Sequence, residues 1–286
     1  MIRKILRGIP LFSDLFRLMR DAYISFSPAR LSVDGFLYVG NREVILGSYE
    51  PEIKSLLHKL SNEFHTLINV GANHGYYLCL STKMGFKNVT GVEPVKSNFK
   101  VAKRNLKINK YNSVKLINSA CGDPVDSSVV LFGSGTGAST REGWGGAKSK
   151  IQRRVKVIGL DGLVTTESEP CIFLIDVEGY EGKVLDGSIQ AFARKHDLWL
   201  VEISFYENSP DGEMNPEALR IFRQFTRSGF STYAWAPDLR EIKIEDPKDL
   251  EEFANIFHMF LFVKKLKDNE KILNLIDAVH NNIQDG

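Results

Sequence analysis

The sequence predicts a doubly wound α/β domain, and three observations predict it. From residue 65 onward, short apolar runs alternate with segments of helical length and helical apolar spacing. Two of the runs, CIFLID (171–176) and LWLVEI (198–203), are continuously apolar, as strands of a parallel sheet buried on both faces must be. The first strand–helix junction carries a glycine-containing turn, Asn69-Val70-Gly71-Ala72-Asn73-His74-Gly75, at the end of a strand where such sheets hold ligands.

Taken in order, residues 1–30 read as a helical extension ending near Ser27-Pro28. FLYVG (36–40) and EVILG (43–47) look like short strands, with Asn41-Arg42 as a hairpin turn. EIKSLLHKL after Pro51 has helical spacing. HTLINV (65–70), NVTGVE (88–93) and SVKLINSA (113–120) are strands. GYYLCLSTKMG (75–85) and SNFKVAKRNLKINK (97–110) are helices, with Ser97 a candidate N-cap. SSVVLFG (127–133) and RRVKVIGL (153–160) read as an inserted β-ribbon. The Gly- and Ser-rich segment between them has the composition of a lid or an ordinary surface loop, and Trp144 favours a lid because an aromatic side chain there needs something to cover. After CIFLID and LWLVEI, PEALRIFRQFTRSG (216–229) is a helix framed by Pro216 and Gly229. FSTYAW (230–235) and FHMFLFVK (257–264) close the series. The expected division is an extension over 1–60, one domain over 61–266 and a tail over 267–286.

With 286 residues, 43% of them hydrophobic, the chain is long enough for one domain with extensions and too apolar to be wholly disordered. A net charge of +2, with no Lys/Arg-rich block, argues against nucleic acid as a partner. Cys79, Cys121 and Cys171 are scattered without paired spacing, so they are expected as buried thiols of a reducing, cytoplasmic protein. The N-terminus alternates apolar residues (Ile5, Leu6, Leu11, Phe12, Leu15, Phe16, Leu18, Met19) with Arg3, Lys4, Arg7, Arg17 and Arg20. A basic amphipathic segment can lie on an anionic membrane. Packing on its own domain or on a second subunit is the commoner use of such a stripe and the reading favoured here.

Chemistry concentrates at the predicted strand ends. Gly71 and Gly75 permit a tight turn, but G-x-x-x-G replaces the G-x-G-x-x-G that cradles a pyrophosphate, so an adenosyl ligand without a diphosphate fits better than a nicotinamide dinucleotide. Glu93 ends the second strand, where a carboxylate can accept ribose hydroxyls; alternatively it is a strand-end acid paired with a lysine. Ile175-Asp176-Val177-Glu178-Gly179-Tyr180-Glu181 and Glu202 crowd acids at the same edge. Such acids raise one another's pKa and can leave one poised as a base. They could instead collect a divalent cation, the less favoured alternative. Glu181 reads better as a helix cap, and Asp176 and Glu202 as functional groups.

These stretches resemble the FkbM family of methyltransferases, within the Rossmann-like S-adenosylmethionine enzymes. The matching pieces are INVGANHGYY (68–77), GVEPVKSNF (91–99) with Asn105 and Asn109, SACGD (119–123), GLDGLV (159–164), IDVEGYEGKVLDG (175–187) and LVEIS (200–204). The resemblance implies a seven-stranded sheet with the last strand antiparallel, and S-adenosyl-L-methionine as cofactor. It implies methyl transfer to a hydroxyl of a sugar, glycan or small natural product. By position, Gly71, Asn73 and Gly75 would form the cofactor loop, Glu93 would hold the ribose, and Ser119 and Ala120 would lie near the adenine. Asp176 would sit near the methionine end or the acceptor. Family members usually carry Asp where this chain has Asn69, so one charge that anchors the methionine portion is missing here.

In the expected reaction Asp176, Glu178 or Glu202 takes the acceptor's proton. His74 is an alternative base, with a solvent-facing or backbone-bonded loop histidine slightly preferred. No metal is assigned. Rival readings are N-methyl transfer, a nicotinamide oxidoreductase on a similar sheet, a cofactor-binding module without catalysis, and a membrane-surface adaptor acting through the N-terminal segment.

Overall fold

The computed structural model describes residues 10–32, 34–144, 149–164, 169–206, 212–234, 240–253, 258–264, 270 and 272–274. The predicted extension begins with a helix, α1 (Pro10–Phe26). Its inner side is tied down: Asp14 accepts from the Ser149 hydroxyl at 2.5 Å and the Lys150 N–H at 3.0 Å. Arg104 donates to the carbonyls of Ser25 and Ser27, each at 2.8 Å, satisfying oxygens at the helix's C-terminal end. Leu15, Leu18, Met19, Tyr23 and Phe26 are exposed. Residues 1–9, with Arg3, Lys4, Ile5, Leu6 and Arg7, lie outside the described residues, as do the side chains of Leu11, Phe12, Phe16 and Arg17.

A two-stranded ribbon of β1 (Arg30–Leu31) and β2 (Leu37–Tyr38) follows. The hairpin expected over 36–47 is not formed. EVILG instead belongs to a short helix, α2 (Arg42–Leu46), and the reason is capping. The Asn41 side chain accepts the Glu43 N–H at 3.0 Å, and Gly47 closes the helix in the left-handed region at φ 76°. With its ends defined, one turn of helix buries Val44 while a strand would have had no partner. α3 (Pro51–Leu60) then buries Ile53, Leu56, Leu57 and Leu60 at the predicted spacing.

The main unit alternates as expected: β3 (Thr66–Val70), α4 (Tyr76–Lys83), β4 (Asn88–Val92), α5 (Lys96–Ile108), β5 (Lys115–Ile117). The third predicted strand is split. Its end leaves the sheet as β6 (Ala120–Cys121) and pairs with the predicted ribbon, β7 (Ser128–Phe132) and β8 (Gln152–Ile158), in the order β6-β8-β7. The chain returns to the large sheet through β9 (Cys171–Ile175), α6 (Glu181–Asp186), α7 (Ile189–Ala193) and β10 (Leu198–Glu202). α8 (Pro216–Arg227), β11 (Phe230–Ala234), β12 (Arg240–Ile242), α9 (Pro247–Phe253) and β13 (Met259–Lys264) complete it.

Among the described residues the large sheet has eight strands in the order β12-β11-β13-β10-β9-β3-β4-β5. The expected seven are corrected by one: β12 adds an edge to β11. β13 runs antiparallel to both β10 and β11, as expected of the last strand. Side chains alternate between two cores, as a period of two demands. Leu67, Ile172, Leu174, Leu198 and Leu200 pack with Leu56, Leu57, Leu60 and Leu78 on one face. Ile68, Phe173, Ile175, Trp199 and Val201 pack with Val184, Phe222 and Phe225 on the other. The three cysteines are free and buried. Among the described residues no helix is long and apolar enough to cross a membrane.

Candidate active site

Sheet register builds the site. Val201 pairs with Ile175, Ile175 with Val70, and Val70 with Val92. The residues next along each strand direction are Glu202, Asp176, Gly71 and Glu93. They form one row across the carboxyl edges of β10, β9, β3 and β4, spaced by the roughly 5 Å between neighbouring strands. The turn after β3 is held to its neighbours by the backbone. Gly71 and Ala72 donate to the Val92 carbonyl at 2.9 Å each, and Asp176 donates to the Val70 carbonyl at 3.0 Å. Gly71 has φ 85°, and a Cβ there would collide with the Asp176 carbonyl oxygen, so only glycine lets these strands close.

Glu93 is buried, with 3% of its surface exposed. Its carboxylate accepts the Asn73 N–H and the Val95 N–H, each at 2.7 Å. Burial raises its pKa to about 7, against the lowering effect of these amides and of the Asn98 side chain. The Val95 bond also corrects the Ser97 cap: α5 starts at Lys96 with Val95 in the cap position and no side-chain cap of its own.

A cavity open to solvent lies between Glu93 and Asp176. Gly71, Asn73, Ala120 and Glu178 are on its wall, together with Val95, Asn98, Cys121, Leu131 and Tyr180, which the sequence did not single out. Asn98 matters most among these, because its Oδ1 is buried without a partner on the cavity wall. Gly75 and Ser119 are not on that wall. Gly75 precedes α4 at φ 77°, where a Cβ would press on Ala102 at 3.0 Å, so it serves helix packing. Ser119 is buried just ahead of Ala120.

A second, small cavity shares Gly71, Asn73 and Asp176 with the first. Asn69 and His74 line this one. Asn69 donates to the Leu174 carbonyl at 3.3 Å. His74 is buried rather than solvent-facing. Its carbonyl accepts from Asn105, and its Nδ1 has no partner. Burial, aided by Arg20, lowers its pKa to about 4.

The acids interact around Asp176, which lines both cavities; Glu178 lines the first and Glu202 neither. Burial first, and then Glu202 and Glu178, push the Asp176 carboxyl well above its ordinary range. Burial and the charges of Glu178, Glu50 and Glu181 raise Glu202 to about 8, and Asp176 hydrogen-bonds to it. Two carboxyls in hydrogen-bond contact titrate as a pair. Glu178 stands in the left-handed region at φ 53°. Its carbonyl accepts from Ser139 at 2.6 Å, and its carboxylate accepts from the Trp144 indole N–H at 3.1 Å. Trp144 therefore does cover something: it lies over Gly179 and is itself buried. Arg141 reaches Asn215 at 2.8 Å, so the described part of the Gly- and Ser-rich segment is fastened over the acidic turn; residues 145–148 lie outside the described residues. Glu181 accepts the Gly179 N–H at 2.9 Å from the first turn of α6, but the cap position is Tyr180, which makes no side-chain cap bond. Among the described residues no three His, Cys, Asp or Glu side chains gather where a metal ion could sit.

The methyltransferase FkbM domain family matches the chain over residues 69–231. Among solved structures the chain is similar to the FkbM methyltransferase from Methylobacillus flagellatus KT, at 13% identity and a TM-score of 0.44, over 90% of this chain and 62% of that one. It is similar to a precorrin-6y C5,15-methyltransferase from Geobacter metallireducens GS-15, at 10% identity and 0.43, over 80% and 94%. It is similar to an O-methyltransferase from Bacillus cereus in complex with SAH, at 10% identity and 0.42, over 87% and 88%. No curated protein matches. The family match covers more than half of the chain and contains Gly71, Glu93, Asp176 and Glu202, so the chain belongs to the FkbM family of methyltransferase domains.

Proposed function

We propose that the chain transfers a methyl group from S-adenosyl-L-methionine to a hydroxyl of a small-molecule acceptor, a sugar, glycan or natural product. One observation carries this reading: Glu93, Gly71 and Asp176 stand in register along one sheet edge and wall one cavity. The residues fit an adenosyl group. The Asn98 Oδ1, buried and unpartnered, can accept a ribose hydroxyl beside the Glu93 carboxylate. Val95, Ala120, Cys121 and Leu131 offer an apolar slot for a flat base, and no pyrophosphate cradle is needed.

When bound, the cofactor supplies a methyl group activated on a sulfonium. The chain's own residues do the rest. Glu93, with Asn98, orients the ribose; Ala120 and Leu131 flank the base. Asp176 lines both cavities, and the sulfonium's positive charge would favour its ionised form. With Glu202 raised to about 8, the Asp176–Glu202 pair ionises above neutral pH and then takes the acceptor's hydroxyl proton. Glu178 is committed to Trp144, which makes it a support of the wall rather than the base. His74, with its pKa lowered to about 4, is too weak a base to compete.

Mass spectrometry of a panel of acceptors incubated with labelled cofactor tests the reading. Labelled methyl on an oxygen of a sugar or natural product, lost in Asp176→Ala, is the expected result. Label on nitrogen would favour the N-methyl alternative. Unchanged turnover in Asp176→Ala would remove this residue from the mechanism. The exposed apolar face of α1 supports a peripheral contact with a membrane or a second copy. Flotation with anionic liposomes, and sedimentation without them, compared with Leu15→Ser/Met19→Ser/Tyr23→Ser, would separate the two; no change in either would leave α1 as packing for its own domain.

A further inference from the structure

The second cavity has a carboxylate that the family match does not contain. Glu50 lies just before Pro51 and α3, outside residues 69–231. It is held in the left-handed region, at φ 41° and ψ 60°, which a residue with a side chain seldom adopts. Pro51 contributes by disfavouring the helical conformation for the residue before it. Tyr77 donates its hydroxyl to the Glu50 carboxylate, and Tyr49 bonds to it as well. The strained backbone and two phenol donors fix this carboxylate on the wall of a cavity also lined by Asn69, His74 and Asp176.

The cavity holds negative charge without a matching cation. Among the described residues that line it, none is Lys or Arg. Burial raises the Glu50 pKa against the two phenol bonds, so a cation beside it would favour its charged form. Asn69, at the position where an acid would be expected from the resemblance, contributes no charge. His74, only 4% exposed, stands on the same wall with its Nδ1 unpartnered. Both groups want a ligand with a cationic end and a second polar group.

We infer that Glu50 binds the α-ammonium of the cofactor's amino-acid portion, supplying from the N-terminal extension the charge that Asn69 lacks. The inference rests on the reading of the first cavity as the adenosyl site. With the adenosyl group against Glu93 and the sulfur at Asp176, the amino-acid chain continues past Gly71 and Asn73, the residues that the cavities share. Its ammonium then meets Glu50. Its carboxylate can accept a hydrogen bond from the Nδ1–H of the neutral His74 ring.

Calorimetry on the full chain tests this with S-adenosylhomocysteine, its deaminated analogue, and methylthioadenosine, which keeps the adenosine and thioether but has no amino acid. Glu50→Gln should weaken S-adenosylhomocysteine by roughly 30-fold or more and leave methylthioadenosine unchanged, which also shows that the variant is folded. Wild type alone should prefer S-adenosylhomocysteine over the deaminated analogue by a similar factor, a comparison that survives if the variant does not fold. Equal losses for both nucleosides in Glu50→Gln, or no preference for the amino group in wild type, would overturn the inference and leave the adenosyl site standing. Wild type binding none of the three would overturn both.

Discussion

The Glu93 carboxylate accepts the backbone N–H of Asn73 at 2.7 Å, so the acid after the second strand of the main unit and the turn after the first are one bonded unit. The same carboxylate accepts the Val95 N–H, through its other oxygen, at the start of α5. One side chain therefore ties a turn, a strand end and a helix start around one cavity.

Removing that tie should cost stability before any ligand is added. Glu93→Ala leaves two amides without their acceptor, at about 1–3 kcal/mol each if water does not replace it. Glu93→Gln keeps one side-chain oxygen as acceptor and should cost less. Urea denaturation of the unliganded protein checks the order. Equal midpoints for the two variants would mean that the carboxylate does not organise the turn.

The acid pair predicts a pH profile. The base must be ionised, and Glu202 is raised to about 8, so kcat/KM should climb from about pH 6 to about pH 8 and then level off. In Glu202→Gln the group that ionises near 8 is gone and the base left is Asp176, which burial holds well above its ordinary range, so the rising limb should move towards higher pH. A limb that stays in place would show that another group governs the profile.

Much of this was legible in the sequence, because it is written in local patterns. The apolar runs gave the strands that bury both faces, and the register they impose puts Glu202, Asp176, Gly71 and Glu93 in a row. The misread segments fail for physical reasons. In EVILG the β-branched residues suggested a strand, but Asn41 and Gly47 cap a helix around them. β12 is three residues long and stands at an edge, too short for any periodicity to be seen. Asn98 looked like one more polar residue on an amphipathic helix; only the fold brings it to the cavity wall, beside Glu93. Glu50 is separated from the glycine turn by a helix and a strand, and no spacing rule connects them.

Trp144 should matter through its indole N–H as well as its area. Trp144→Phe keeps most of the cover over Gly179 but withdraws the donor from Glu178. The Glu178 carboxyl, already raised by burial, should rise further, and kcat/KM at neutral pH should fall about tenfold, as expected for roughly 1.4 kcal/mol of lost positioning. Trp144→Ala should fall further and make the neighbouring segment more open to limited proteolysis. Activity equal to wild type in both variants would deny the segment any part in the reaction.

Stability should depend on pH in an unusual sense for acidic groups. Glu93 and Glu181 are each raised to about 7 and Glu202 to about 8 in the folded state. A carboxyl raised above its unfolded value contributes stability that is fully present below about pH 4.5 and is lost as pH climbs through the folded value. The unliganded protein should therefore lose melting temperature between about pH 5 and pH 9 at constant ionic strength. A flat or rising Tm over that window would show that these three groups are ionised in the fold at neutral pH.

The most direct measurement is isothermal titration calorimetry of the purified full chain with S-adenosylhomocysteine, for wild type and Glu93→Gln, with NAD as the control. Wild type should bind one equivalent, Glu93→Gln should bind at least about tenfold more weakly, and NAD should give no heat. Equal affinity in the two proteins, or heat with NAD alone, would contradict an adenosyl group seated between the glycine turn and Glu93.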